Sequence, residues 1–260
     1  MEVSALDEFY TFNDFLPIYQ IDSNEIDYNR TLFKAFELSY TNGLFQFAYI
    51  QMHMLFMVCI YNMLLKLSII YPAELETAIH YMLKDRSSDF YGKSNTKNGK
   101  LYFGSFACIS ESDVFLLLKI VGMDSNLKGE LTKLVTERNK YAHANGNITI
   151  TSQETIDDRI IIYIKLIERV AILMNSKVLE LYVNIIESSE FHSPDSRETY
   201  LDDIEYMREE FIKRYAVSIS ELNVCRKFDI NSLHENEKFE EIKKLHIALV
   251  AIHKSIGADE

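Results

Sequence analysis

Residues 44–70 read LFQFAYIQMHMLFMVCIYNMLLKLSII, and how this stretch is read decides the fold. It is the most apolar part of the chain and long enough to span a membrane, which takes about 20 apolar residues. However, Gln46, Gln51, His53, Asn62 and Lys66 interrupt it, and it holds no clean run of eighteen apolar residues. A helix that is hydrophobic nearly all round is also what the buried centre of a bundle requires. The stretch therefore predicts a core helix and no membrane partner. Its methionines read as gap-filling core side chains. His53 shares a face with Gln46, seven residues earlier, and reads first as a satisfied core histidine.

The rest of the chain supports that choice. It has 260 residues, 48% of them hydrophobic, with only eight Gly and three Pro. So few breakers predict an all-α protein. Pro72 suits the first turn of a helix reaching about Leu83. Asn29 or Thr31 can open an earlier helix through about Tyr40, packed by Leu32, Phe33, Phe36 and Leu38 and stopped by Asn42-Gly43. Leu101–Ile109 could be extended. Ser110 with Asp113 resembles a capping box for a short helix closed by Gly122. Ile148-Thr149-Ile150 reads as an extended link. Ser152 can cap a long helix from about Gln153 to Glu187. His192-Ser193-Pro194-Asp195-Ser196 is the best boundary. Helices are expected beyond it at about 196–215, 218–225 and 235–256. The predicted organisation is an acidic N-terminal arm over 1–28, a helical domain over 29–192 and a helical extension over 193–260.

The net charge of −12 argues against broad nonspecific nucleic-acid binding. Its distribution weakens the objection, because residues 1–28 carry −7 and residues 196–260 carry −4. The part between is close to neutral. The acidic arm is rich in aromatics (Phe9, Tyr10, Phe12, Phe15, Tyr19), as expected of a segment that packs on the body or on a second subunit. Cys59, Cys108 and Cys225 are widely spaced and match no zinc pattern, which suits reduced thiols in the cytoplasm. The start of the chain lacks the pattern of a signal peptide. No Walker loop, dinucleotide glycine motif or nucleophile elbow occurs, and no cofactor or metal is expected.

Chemistry concentrates in Thr136-Glu137-Arg138-Asn139-Lys140-Tyr141-Ala142-His143-Ala144-Asn145-Gly146. Asp124, Ser125 or Asn126 can cap a helix leading into it. Leu127, Leu131, Leu134, Val135 and Ala142 form its apolar stripe, and Asn145-Gly146 supplies its stop. Arg138 falls within the stripe, where a guanidinium needs a partner or a polar cleft. His143 sits on a polar strip with Thr132, Thr136 and Asn139. A plain reading remains open: Arg138 as a core ion pair, and His143 as a cation favoured by the helix C-terminus.

Arg138-Asn139-Lys140-Tyr141-Ala142-His143 resembles the Arg-Asn-x-x-x-His motif of the HEPN superfamily, helical bundles whose ribonuclease members carry Arg-x(4 to 6)-His at a helix end. The resemblance covers this motif and a helical frame of about residues 29–190. It departs at Asn145, where many members paired with a nucleotidyltransferase antitoxin carry Tyr. It implies an HEPN-like bundle and a metal-independent endoribonuclease of the toxin or anti-phage defence kind. Arg138, Asn139 and His143 would be catalytic, in a composite site shared by two subunits. RNA, tRNA among the candidates, would be the substrate, with an antitoxin or other regulatory protein as a further partner. Glu37 and His53 are supporting candidates. The alternative is a non-catalytic module of the same shape that dimerises and binds a partner or nucleotide.

Basic and aromatic residues also interleave over 85–100. Arg86, Lys93, Lys97 and Lys100, with Phe90, Tyr91 and the more distant Lys140, could hold RNA by phosphate contacts and base stacking. An ordinary solvated loop is the alternative. His234, His246 and His253 read as surface or packing residues.

Overall fold

The computed structural model describes residues 4–19, 23–142, 150–188, 197 and 199–256. The protein is all-α, and among these residues there is no β-strand, only two isolated bridges. The chain divides into two compact units. One takes Met1–Phe15 and Ile21–Leu173, the other Leu16–Gln20 and Met174–Glu260.

The first unit is built around α3, Phe45–Ile70, and further contains α1 (Ala5–Tyr10), α2 (Ser23–Thr41), α4 (Pro72–Leu83), α5 (Ser87–Phe90), α6 (Glu111–Leu117) and α7 (Ser125–Ala142). The start of α8, Gln153–Glu187, belongs to it as well. Helix α3 has a mean hydropathy of 1.7 over its most apolar window, and 72% of that window is buried inside the protein. It is the core helix expected from residues 44–70. Helix α2 packs along it, as do α4, α7 and a 3-10 segment, Phe103–Cys108.

Local sequence explains several ends. Pro72 opens α4 where its missing N–H costs nothing. Gly43 and Gly122 have φ of +71° and +90°, the left-handed conformation that glycine adopts at no steric cost. The Asp124 carboxylate accepts from the Leu127 N–H at 2.7 Å, capping the helix that carries the Arg-Asn motif. Asp124→Ala is expected to lower the stability of the first unit by about 1 kcal/mol, read as a shifted urea midpoint. An unchanged midpoint would show that α7 is held by packing alone.

Several expectations need correction. Helix α2 begins at Ser23, well before Asn29. Thr31 does not cap it, since its hydroxyl bonds back to the Asp27 carbonyl at 2.7 Å as a helix-interior threonine does. Leu38 is exposed rather than packed. Of the stretch expected to be extended, Phe103–Cys108 forms the 3-10 segment, and the flanking Tyr102 and Ile109 are extended. The aromatic N-terminal segment needs no correction, for it packs on the body, one of its two expected outcomes: Phe9, Phe12 and Phe15 are buried, and Phe9 stacks on Phe36 with centroids 3.5 Å apart. The expected boundary at 192–196 lies outside the described residues, and the units divide earlier, within α8. There the apolar stripe runs on through the buried Met174, Val178, Tyr182 and Ile186.

In the second unit, α9 (Asp203–Met207) continues as a π-helical turn over Arg208–Lys213, which interrupts the single helix expected over 196–215. Helices α10 (Ile219–Cys225) and α11 (Phe239–Ile256) follow. The N–H of Ile18 donates to the Val217 carbonyl at 3.0 Å. His246 meets the Tyr182 hydroxyl at 2.8 Å and His253 meets Asn223 at 2.8 Å, so both are packing residues as expected.

Candidate functional site

The expected stripe on α7 is buried at Leu127, Leu131, Leu134 and Val135. Ala142, expected on the same stripe, is exposed. Two ion pairs fasten this helix to the start of α8: Arg159 donates to Glu137 at 2.7 Å and Arg169 to Glu130 at 2.6 Å. Both are partly exposed, so solvent screens them and each adds little to stability. The Tyr141 and Tyr49 rings pack near-perpendicular with centroids 5.1 Å apart, and the Tyr141 carbonyl accepts from Gln46 of α3 at 3.2 Å. The end of α7 is thereby held against the core helix.

Arg138 is half-buried and donates to Glu111, the first residue of α6. Its Nε is buried without a hydrogen-bond partner among the described residues. The same Glu111 oxygen, Oε2, lies 3.0 Å from Nε2 of His53. On the other side of the ring, Nδ1 lies 2.7 Å from the Tyr163 hydroxyl, which in turn is 3.2 Å from that of Tyr49. A connected polar network therefore runs Tyr49–Tyr163–His53–Glu111–Arg138 through the core.

The charges in this network follow from burial. His53 is almost fully buried, which pushes its pKa below the ordinary value, although Glu111 pulls the other way. A neutral ring facing an acceptor-only carboxylate carries its hydrogen on Nε2 and donates to Glu111. Burial alone would raise the Glu111 pKa, but the hydrogen bonds from His53 and Arg138 outweigh it and hold it below the usual value. Glu111 is thus the carboxylate that two helices converge on.

A pH dependence follows. His53 has a depressed folded pKa, so its unfolded form binds protons first. Its stabilising contribution is present above about pH 6.5 and is lost as the pH falls below that. His246 and His253, also depressed, act in the same window, and Glu111 acts in the same direction at lower pH. The urea midpoint is expected to fall between pH 7.5 and 5.0, with a shallower fall in His53→Gln. An equal slope in that variant would contradict a neutral His53.

Glu111 also lines a cleft of about 330 Å³ between α3 and the Phe103–Cys108 segment. Its walls include Tyr28, Met54, Met57, Tyr61 and Phe103. Burial raises the Tyr61 pKa, and the Glu111 charge adds to that.

The candidates are not all brought together. Arg138 and His53 come together through Glu111, a residue that sequence reasoning placed only behind a capping serine. Asn139 is half-buried beside Arg138, and Lys140 is exposed. His143 and the Asn145-Gly146 stop lie outside the described residues. Glu37 is exposed on α2, where it accepts from the Tyr10 hydroxyl at 3.2 Å.

The 85–100 stretch proves to be built rather than open. Phe90 is buried against Phe106 and offers no surface for a base. Asn95 ties the stretch together by donating to the carbonyls of Phe90 and Ser105. Arg86, Lys93, Lys97 and Lys100 are exposed, with Lys97 4.5 Å over the Tyr102 ring. Arg86 and Tyr91 line two further hollows, of about 350 and 570 Å³, neither lined by Glu111 or Arg138. Among the described residues no three His, Cys, Asp or Glu side chains group to hold a metal ion. Cys59, Cys108 and Cys225 form no disulfide among the described residues, the first and last buried and Cys108 exposed.

Comparison with known proteins gave no match to a family model, and no curated protein or solved structure matches the chain.

Proposed function

We propose that this protein is a metal-independent endoribonuclease of the HEPN type, of the toxin or anti-phage defence kind, acting in the cytoplasm. The observation that carries the reading is Arg138. It stands near the end of α7, half-buried and tied to Glu111, with Asn139 next to it and His143 five residues on.

The chemistry needs few groups, because RNA supplies its own nucleophile. The 2′-oxygen attacks phosphorus and the bond to the 5′-oxygen breaks. The products are a 2′,3′-cyclic phosphate and a 5′-hydroxyl. One proton leaves the 2′-hydroxyl and one reaches the departing 5′-oxygen. An imidazole is suited to either transfer near neutral pH, which is the role of His143. Arg138 offers a planar, permanently charged fork for the phosphate oxygens. Asn139 orients the imidazole or holds the phosphate. The site is completed by the same helix of a second subunit, so the working form is a homodimer.

A second reading is favoured by one observation: Arg138 already spends its guanidinium on Glu111. An arginine so occupied can be structural, in a non-catalytic module that dimerises and binds a partner or nucleotide. The two readings separate in cells. An active toxin arrests growth when expressed, and Arg138→Ala and His143→Ala restore it. Equal growth with all three forms, at equal protein levels, would favour the binding module.

A further inference from the structure

We propose that the cleft bordered by Glu111 is a nucleobase pocket that takes guanine, so that the protein engages RNA at a guanosine. This rests on the ribonuclease reading above and adds to it the identity of the base held beside the scissile phosphate.

The argument starts from the walls. The cleft, about 330 Å³, falls at the lower end of the ~300–1,000 Å³ range of small-ligand sites. Tyr28 and Phe103 lie with ring centroids 6.2 Å apart and an interplanar angle of 34°. Met54 and Met57 add polarisable sulfur from α3, and Tyr61 is braced against Phe106, with centroids 6.4 Å apart. Such a lining suits a flat aromatic ring rather than a sugar or a free phosphate.

The polar groups narrow the choice. Glu111 is held ionised, so it can only accept hydrogen bonds. His53 and Arg138 both bond to its Oε2, and the Glu111 side chain also lines the cleft. Guanine presents two adjacent donors, N1–H and the N2 amino group, to such a carboxylate. Adenine would bring its N1 lone pair against it. Tyr61 lines the cleft as well. Arg138, the cation assigned to phosphate, bonds to the same carboxylate. A ligand with a donor-bearing flat ring at one end and a phosphate at the other matches both sides of Glu111.

Occupancy can be read without catalysis. Nine methionines give countable ε-methyl signals in a ¹³C-methyl methionine spectrum, and Met54→Leu and Met57→Leu assign the two in the cleft. Guanosine 5′-monophosphate should shift those two signals, with adenosine 5′-monophosphate binding about tenfold more weakly, the discrimination of one good carboxylate–base pairing. Inorganic phosphate should leave them in place. Ala107→Phe, at an exposed position on the rim, should abolish the shift while leaving the other methionine signals unchanged. No shift with millimolar guanosine monophosphate, or equal shifts with both nucleotides, would overturn the assignment. A shift that persists in Ala107→Phe would place the nucleotide elsewhere and also overturn it. The pocket and the nuclease reading fail separately. His143-dependent cleavage with no preference for guanosine would remove the pocket alone. Selective guanosine binding without any cleavage would keep the pocket and remove the nuclease.

Discussion

Glu111→Ala is expected to destabilise the first unit by about 3 kcal/mol. Glu111 is the shared acceptor of Arg138 and His53. Truncating it leaves a half-buried guanidinium and a buried imidazole N–H without their carboxylate. Removing one partner of a buried pair costs about 3–5 kcal/mol, much of it the stranded charge, and the partial exposure of both side chains brings the figure to the low end. Glu111→Gln keeps an acceptor and should cost less. The double variant Glu111→Ala with Arg138→Met should recover part of the loss, because no charge is then stranded. Urea unfolding checks all three. If Glu111→Ala shifts the midpoint no more than a surface substitution does, the network does not organise this part of the core.

His143→Ala is expected to reduce RNA cleavage by about 10²–10⁴-fold, the usual contribution of a positioned general acid or base, with no change in the urea midpoint. Arg138→Ala should cost about 10²–10³-fold for the lost phosphate contact. It should also lower stability, because Glu111 loses its cation. That contrast separates a group used for chemistry from one used for both chemistry and architecture. Equal losses of stability in the two variants would argue that the motif is only a helix end.

Much of this fold was legible because local signals agreed with global burial. Pro72 marks the start of α4 and Ser152 precedes α8, so both helices fall where the sequence places them. The central helix was recognisable because it is apolar on every face. The start of α2 was not, since Asn29 looks like a cap but is a buried interior residue. The aromatic run over 85–100 misled for a related reason: sequence shows that Phe90 lies beside charges, not that it turns inward to Phe106.

The candidate site was half legible. Arg138 on a buried stripe and His53 on an apolar helix each demanded a partner, yet Glu111 reads in sequence as an ordinary acidic residue of a first helical turn. Only the packing of α6 against α7 lets one carboxylate answer both demands. Two unsatisfied side chains and few interior acids were the signal that could have found it.

The most direct test of the central claim is cleavage of total RNA and tRNA by the purified protein in EDTA, wild type beside His143→Ala, with the product ends determined. The account predicts cleavage by the wild type that leaves 2′,3′-cyclic phosphates and 5′-hydroxyls, and its loss in His143→Ala. Equal cleavage by both proteins, or none from a folded wild-type dimer, would contradict it.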